Sequence, residues 1–336
     1  MALFACFRFK ARRRKRALEG RRVEVSSEED KGARIFSGKE VERVSANFSR
    51  SRVIGYGGSS TVYLGKFPDS SLAAVKTIDA GGSNRLQGIF RQELEILLRV
   101  KHDNIVKILG YSEEGTLVLE YVSNGTLREN LQGAKGSFLT WKNRAKIAFQ
   151  IAGALDYLHR HADPEIIHGD VKSSNILLDS ALNCKLCDFG SAKLGLSTSA
   201  AAAALPPSSR RMIGSPGYAD PHYLKTGIAS KKNDIYSFGV VMLELITGLD
   251  AVSPDGGGGG GGRLINRVGH MLRDVSKVAE MVDRRLLGEC ELGEAMAMAS
   301  LAALCLCEPP TLRPSASDIM ESMRNWVASL SSIDKN

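Results

Sequence analysis

Apolar residues along this chain change period several times, and the changes mark out its elements. Phe36, Val41, Val44 and Phe48 recur at close to helical spacing, which predicts a short helix within residues 35–48. Val53-Ile54 and Val62-Tyr63-Leu64 read as two strands joined by a turn containing Gly55, Gly57 and Gly58, and Ala74-Val75-Lys76 reads as part of the next strand. Between 86 and 100 the period lengthens again: Leu86, Ile89, Phe90, Leu94, Leu97 and Leu98 form one face of an amphipathic helix. A strand follows at 117–122 (LVLEYV) and a long helix at 141–159. Ile166-Ile167 and Ile176–Leu178 would be ordinary short strands if the polar residues between them were only a surface turn, and a short strand flanked by Cys184 and Cys187 leads into Asp188. The apolar run from Ala295 to Cys307 is shorter than the roughly 20 residues a bilayer requires and reads as a buried helix.

Composition changes this picture at the N-terminus and leaves it intact elsewhere. A hydrophobic content of 43% over 336 residues is that of an ordinary globular protein. The formal charge of +8 belongs to residues 1–22, which carry nine Lys or Arg against one Glu, so the rest of the chain is neutral. A specific nucleic-acid groove therefore loses its support. Residues 1–33 read as a flexible basic tail. Phe4, Phe7 and Phe9 beside Cys6, ahead of ARRRKR, suit a membrane-surface anchor in which Cys6 is palmitoylated and anionic lipids attract the basic cluster of residues 1–22. A nuclear localisation signal in ARRRKR and plain solvated charge are the competing readings. Six cysteines lie scattered without a disulfide framework, and no secretory signal precedes them, as expected in a reducing, cytoplasmic setting. Cys184 and Cys187 form C-x-x-C without a second ligand pair at zinc spacing, so they read as flanks of a strand.

The candidate chemistry is concentrated in residues 167–178, IHGDVKSSNILL. Asp170 is a carboxylate able to take a hydroxyl proton. Lys172 can neutralise charge on a phosphoryl group, and Asn175 offers an amide oxygen to a hard cation. Asp188-Phe189-Gly190 follows with a second carboxylate. The order H-x-D-x-K-x-x-N and then D-F-G resembles the catalytic loop and metal-binding segment of protein kinases. The resemblance extends over about residues 51–328. It takes in the glycine-rich RVIGYGGSSTVYLGK (52–66), Lys76, KHDNIVKILGY (101–111), and GSPGYADPHY (214–223), which is similar to the GTPGYLDPEY-type sequence of plant receptor-like kinases.

The resemblance implies an α+β, bilobal fold: a small β-rich lobe over 51–119, a hinge at 120–123 and a larger, mainly helical lobe over 124–328. The basic tail (1–33) and a lead-in segment (34–50) precede it, and a short tail (329–336) follows. It further implies an ATP site formed by Ile54, Gly55, Gly57, Gly58, Val62, Ala74, Lys76, Leu119, Glu120, Val122 and Leu177. Leu119 would stand behind the adenine, and the backbone of Glu120 and Val122 would meet its edge. Glu93 would orient Lys76, with Glu95 as rival for that place. Asp170 would orient the attacking hydroxyl and Lys172 would lie near the γ-phosphate. Asn175 and Asp188 would hold Mg²⁺ or Mn²⁺, and Asp234 would brace the catalytic loop. The implied activity is transfer of the γ-phosphate of ATP to protein Ser or Thr hydroxyls, in the cytoplasm or peripherally at the plasma membrane, with an upstream membrane receptor kinase as partner. A pseudokinase scaffold is the alternative, and the presence of Lys76, Asp170 and Asp188 speaks against it.

Three positions depart from the family pattern. Ser60 stands at the third glycine of the phosphate loop. Gly169 stands where an arginine commonly precedes the catalytic aspartate, so activation through an ion pair between that arginine and a phosphate on the segment 191–213 is not expected. The candidate phosphosites there and just beyond are Ser197, Thr198, Ser199, Ser208, Ser209 and Ser215. His222 stands where a glutamate pairs with an arginine, here Arg313. A neutral imidazole is no substitute, so another acceptor is expected to serve Arg313, and the large lobe is expected to be less stable for the change.

Overall fold

The structure is a computed structural model that describes residues 33–58, 60–78, 84–133, 138–195, 214–253, 262–274, 277–286 and 288–326. The basic tail with Cys6, the phosphosite candidates Ser197, Thr198, Ser199, Ser208 and Ser209, the alanine run, most of the glycine insert and the C-terminal tail lie outside the described residues.

The small lobe is a six-stranded sheet in the order β1-β5-β6-β4-β3-β2. Its strands are β1 (Arg34–Ile35), β2 (Val53–Tyr56), β3 (Ser60–Lys66), β4 (Leu72–Ile78), β5 (Ile108–Ser112) and β6 (Thr116–Glu120). Antiparallel pairing of β4 with both β3 (Val62↔Lys76) and β6 (Lys76↔Leu117) places Lys76 near the middle of the sheet. Side chains alternate across a strand. Ala73 and Val75 therefore join one face, a core with Phe36, Val41, Val44 and Val118, while Ala74 and Lys76 reach the other.

The lead-in segment is more than a helix. Its helix, α1 (Gly38–Val44), starts at a capping box in which Ser37 and Glu40 satisfy each other's backbone N–H groups. Ahead of it β1 runs parallel to β5, with Arg34 opposite Gly110, and Phe36 N donates to Tyr111 O at 2.8 Å. A Cβ on Gly110 would stand 2.5 Å from the Phe36 ring and against the Arg34 carbonyl, so glycine is what permits this close approach.

α2 (Asn84–Arg99) packs its face of Phe90, Ile96 and Leu97 inward and carries Glu93 on the same buried side. The large lobe begins at α3 (Leu127–Leu131), capped by Thr126 and Glu129, and continues with α4 (Trp141–Asp156), capped by Thr140. A π-turn over Tyr157–His161 ends α4 and delivers the chain to β7 (Ile166–Ile167). The loop that follows is held between β7 and the hairpin of β8 (Ile176–Leu178) with β9 (Cys184–Leu186), and β10 (Lys193–Leu194) pairs back on β7. Cys184 and Cys187 thus flank the strand that leads into Asp188.

Helix α5 (Pro221–Thr226) precedes α6 (Lys231–Thr247), which is buried almost all round and forms the centre of the lobe. The remaining helices are α7 (Leu264–Val268), α8 (Val278–Met281), α9 (Leu292–Cys305) and α10 (Ala316–Trp326). The apolar run that ends at Cys307 contributes Ala295, Met298, Ala299, Leu301, Ala302 and Cys305 to the core. Among the described residues no helix is long and apolar enough to cross a membrane.

Arg313 is only 2% exposed, and it has found an acceptor other than His222. Asp220, two residues earlier, accepts from both of its terminal nitrogens at 2.6 and 2.8 Å. The carbonyls of Cys307, Glu308 and Lys232 take the other donors at 2.8–3.0 Å. His222 therefore leaves no buried cation unpaired, and the expected loss of stability has no physical basis here.

Candidate active site

Between the lobes lies a cavity of about 370 Å³, a size that suits a small organic ligand. Its upper wall comes from β2, β3 and β4 through Ile54, Gly55, Tyr56, Gly57, Ser60, Val62, Ala74 and Lys76. Its back and floor come from Leu119, Glu120, Val122, Asn175, Leu177, Cys187 and Asp188, with Glu93 of α2 at the inner end. Of the residues expected around a nucleotide, Gly58 alone is absent from the lining; it is exposed within the turn. The backbone N–H of Glu120 already donates to Lys107 O at 2.9 Å, so its carbonyl is what it can offer a ligand. Tyr56 and Cys187 line the cavity although neither was expected there. Burial pushes the Cys187 thiol up to about 12, which makes it a packing group rather than a nucleophile.

Lys76 is the charge at the centre of this wall. Its Nζ lies 2.7 and 2.9 Å from the two oxygens of Glu93 and 2.7 Å from Asp188 Oδ1. Glu95, the rival, pairs instead with Arg99 at 2.9 Å on the exposed face. Burial alone would lower the Lys76 pKa, but the two carboxylates outweigh it and raise it, so the ammonium stays charged. Burial would likewise raise Asp188, and the adjacent ammonium holds it below the usual carboxylate range instead. The Asp188 side chain remains 40% exposed, toward the cavity it lines. Phe189 behind it is fully buried and meets the His168 ring edge-on at 4.8 Å, which fixes the turn.

The catalytic loop hangs from α6. Asp234 accepts from His168 N and Gly169 N at 2.8 Å each and pairs with His159 Nε2 at 2.9 Å. Gly169 adopts φ +77°, and a Cβ there would stand 2.8 Å from the Ser191 carbonyl, a second reason besides charge why this position matters. Asp170 is the crossing point. Its Oδ2 accepts from Lys172 Nζ at 2.7 Å and Asn175 Nδ2 at 3.1 Å, and its Oδ1 accepts from Ser215 Oγ at 2.7 Å. Lys172 also donates to Ser215 Oγ at 2.8 Å. A second, smaller cavity of about 170 Å³ opens beside Asp170, lined among others by Gly169, Ser191, Ser215, Tyr218 and Tyr223.

The donors fit a hard divalent cation. Asn175 Nδ2 is committed to the Asp170 side chain and carbonyl, which leaves its amide oxygen, and a partly exposed carboxylate stands near it in Asp188. Oxygen donors of this kind suit Mg²⁺ or Mn²⁺ and not a thiophilic metal.

Sequence reasoning treated Ser215 only as a phosphosite and passed over Ser173, Tyr218 and Glu244, which lie behind the loop. The signal for Glu244 was available: a carboxylate inside the apolar run VVMLELITG must find partners when buried. Which partners was not readable, because they lie 26 and 71 residues away.

Comparison with known proteins agrees with this geometry. The protein kinase domain family matches residues 48–325. Salt tolerance receptor-like cytoplasmic kinase 1 of Oryza sativa subsp. japonica is 49% identical over 308 residues, 89% of this chain and 82% of that protein. A probable receptor-like protein kinase of Arabidopsis thaliana is 45% identical over 304 residues, covering 87% of this chain and 88% of its own. A probable serine/threonine-protein kinase of the same plant is 36% identical over 304 residues, 87% and 79% of the two chains.

Proposed function

Because this chain belongs to the protein kinase family, among the plant receptor-like cytoplasmic kinases, and is a serine/threonine protein kinase using ATP and a divalent cation, we propose how its own residues divide that work. ATP supplies the phosphoryl group, and Mg²⁺ offsets its charge when bound. Ile54, Val62, Ala74, Leu119 and Leu177 enclose the apolar base, with the carbonyl of Glu120 and the backbone of Val122 at its edge. Lys76, kept charged and oriented by Glu93, binds the α- and β-phosphates. Asp188 and Asn175 hold the cation. Asp170 accepts the proton of the substrate hydroxyl, which has to displace or join Ser215 at Oδ1, and Lys172 sits beside it to meet charge on the phosphoryl oxygens. Positioning and electrostatics account for the rate in this scheme.

The observation that supports it is the single hydrogen-bonded line from Glu93 through Lys76 to Asp188 along the cavity, with Asp170, Lys172 and Asn175 bonded to one another on the neighbouring loop. The test is transfer of label from ATP with Mg²⁺ to a generic protein substrate and to the chain itself. Asp188→Ala and Asp170→Asn should both abolish transfer to Ser or Thr. A native chain that binds ATP but transfers nothing would sink the scheme.

We propose further that the kinase acts peripherally at the plasma membrane, downstream of a membrane receptor kinase, held there by residues 1–22 and an acylated Cys6. The nine basic residues among the first 22, together with Phe4, Phe7 and Phe9, support it. Hydroxylamine treatment should release the protein from the membrane fraction; nuclear recovery without any membrane pool would refute the anchor.

A further inference from the structure

Positive charge in the small lobe is gathered at one end of its sheet. Arg50 and Arg52 lie in a single 3₁₀ turn that leads into β2, and Arg52 Nη1 reaches Leu64 O of β3 at 3.5 Å. Lys66 ends β3, and one residue back α1 closes in on the sheet: a Cβ on Gly65 would stand 2.8 Å from Val44 Cγ1. The last turn of α1 therefore meets the same end of the sheet and brings Arg43, with Lys39 one turn earlier on the same side of the helix. Lys39, Arg43, Arg50 and Lys66 are exposed and Arg52 is half-buried. Among the described residues none of the five is within ion-pair distance of a carboxylate; Arg43 acts on Glu40 from farther off, and Glu40 is already engaged by Arg34. The acids of the neighbourhood are Glu42, Asp69, which Ser71 engages, and Glu114 at the far end of α1. Beyond the tail the chain is neutral as a whole, so this end is a local segregation of charge.

We infer that this basic end of the small lobe is a second membrane contact, which docks on anionic lipid headgroups and holds the nucleotide cavity away from the bilayer. The inference rests on the peripheral membrane location proposed above. Cations without a protein partner give up no ion pair when a headgroup approaches, and an anionic surface attracts each of them. The point of attachment favours the same partner: the basic tail enters the fold at Arg34, a few residues before Lys39, so lipid that holds the tail raises the effective concentration of headgroups at this lobe. Phe48, Tyr63 and Phe67 are packed against the core and not offered for stacking, which favours headgroups over nucleic-acid bases. The geometry also keeps the cavity open. β2 and β3 run from the basic end to the glycine turn, where Tyr56 pairs with Thr61, and the length of β3 at about 3.3 Å per residue puts roughly 20 Å between Lys66 and the cavity's upper wall.

The test uses the full chain, produced without acylation of Cys6, and vesicles of phosphatidylcholine with about 30% phosphatidylserine. In co-sedimentation at about 0.1 M salt, Arg50→Gln/Lys66→Gln should bind roughly 10-fold or more weakly than the native chain, since each basic residue near an anionic surface adds about fivefold. Lys142→Gln/Arg267→Gln removes the same charge from exposed positions of the large lobe and should bind like the native chain. Both variants should keep the native melting temperature and phosphotransfer activity. Acetylation of lysines, read by mass spectrometry, should show Lys66 shielded on these vesicles and Lys142 not. The inference is overturned, with the tail anchor left standing, by a patch variant that binds like the native chain or a large-lobe variant that loses as much. Lys66 shielded without vesicles, by the chain itself or by inorganic phosphate, overturns it as well. A native chain that ignores anionic vesicles removes the attraction of residues 1–22 to lipid and this inference together.

Discussion

Two buried ion pairs, Arg313 with Asp220 in the large lobe and Lys76 with Glu93 in the small one, differ in what they leave over. In the large lobe Arg313 gives both terminal nitrogens to Asp220 and every remaining N–H to a backbone carbonyl. Neither side chain of the pair has any exposure, and nothing is left for a ligand. In the small lobe a single ammonium, Lys76, faces two carboxylates, and one of them, Asp188, opens onto a cavity. Both pairs are buried at similar distances, so neither distance nor burial tells a structural pair from a functional one. On the proposed function, surplus acceptors facing open space do: they are the part of the charge balance that a bound ligand would complete.

Removing the surplus carboxylate should have the largest effect on activity and little on the fold. Asp188→Asn should lower phosphotransfer roughly 10³-fold, equivalent to about 4 kcal/mol of barrier, while the melting temperature stays near the native value because Glu93 still pairs Lys76. A large drop in melting temperature would erase the distinction. The closed pair should respond the other way round. Asp220→Ala leaves a buried guanidinium without its carboxylate and should cost about 3–5 kcal/mol, which lowers the melting temperature on the order of 10 °C.

A pH titration of stability sharpens the contrast further. Asp188 is held below its ordinary value of 3.8, so its contribution is present above that pH and is lost as pH falls through the folded-state value. Glu244 is raised from 4.5 to about 7, so the folded state binds the extra proton. Its contribution is largest below about 4.5 and declines as pH rises through about 7. Urea unfolding of the native chain and Glu244→Gln over this range should show the downward slope only in the native chain. The smallest effect is expected at His222→Glu, which restores the residue the family pattern calls for. With the donors of Arg313 already satisfied by Asp220 and carbonyls, stability should change by less than about 0.5 kcal/mol. A gain of several times that would mean that Asp220 is a poor substitute.

Much of the site was legible because its parts are local. Asp170, Lys172 and Asn175 lie within six residues, and a loop that short keeps their side chains together whatever surrounds it. The amphipathic period over 86–100 likewise placed Glu93 on the buried side of α2, where Lys76 meets it. The lead-in strand was not legible, since two residues have no period and β1 depends on a glycine 76 positions away in its partner strand. The acceptor for Arg313 was legible as a need but not as a residue. Asp220 sits two positions from the one the pattern names, and only the turn into α5 decides which carboxylate faces the guanidinium.

By itself, the sequence determined which groups are available and how they are spaced: the glycine turn, the lysine on a strand, the D-x-K-x-x-N loop, the second aspartate, and a basic tail that holds the net charge. Backbone sterics and side-chain periodicity act over a few residues, and those features need nothing more. Tertiary structure decided the partners: Asp188 beside Lys76 across 112 residues, Asp220 on Arg313 across 93, and Ser173 and Tyr218 on Glu244 behind the catalytic loop. Buried polar groups have to be satisfied by whatever the packing of distant elements brings within about 3 Å, and no local pattern records that choice.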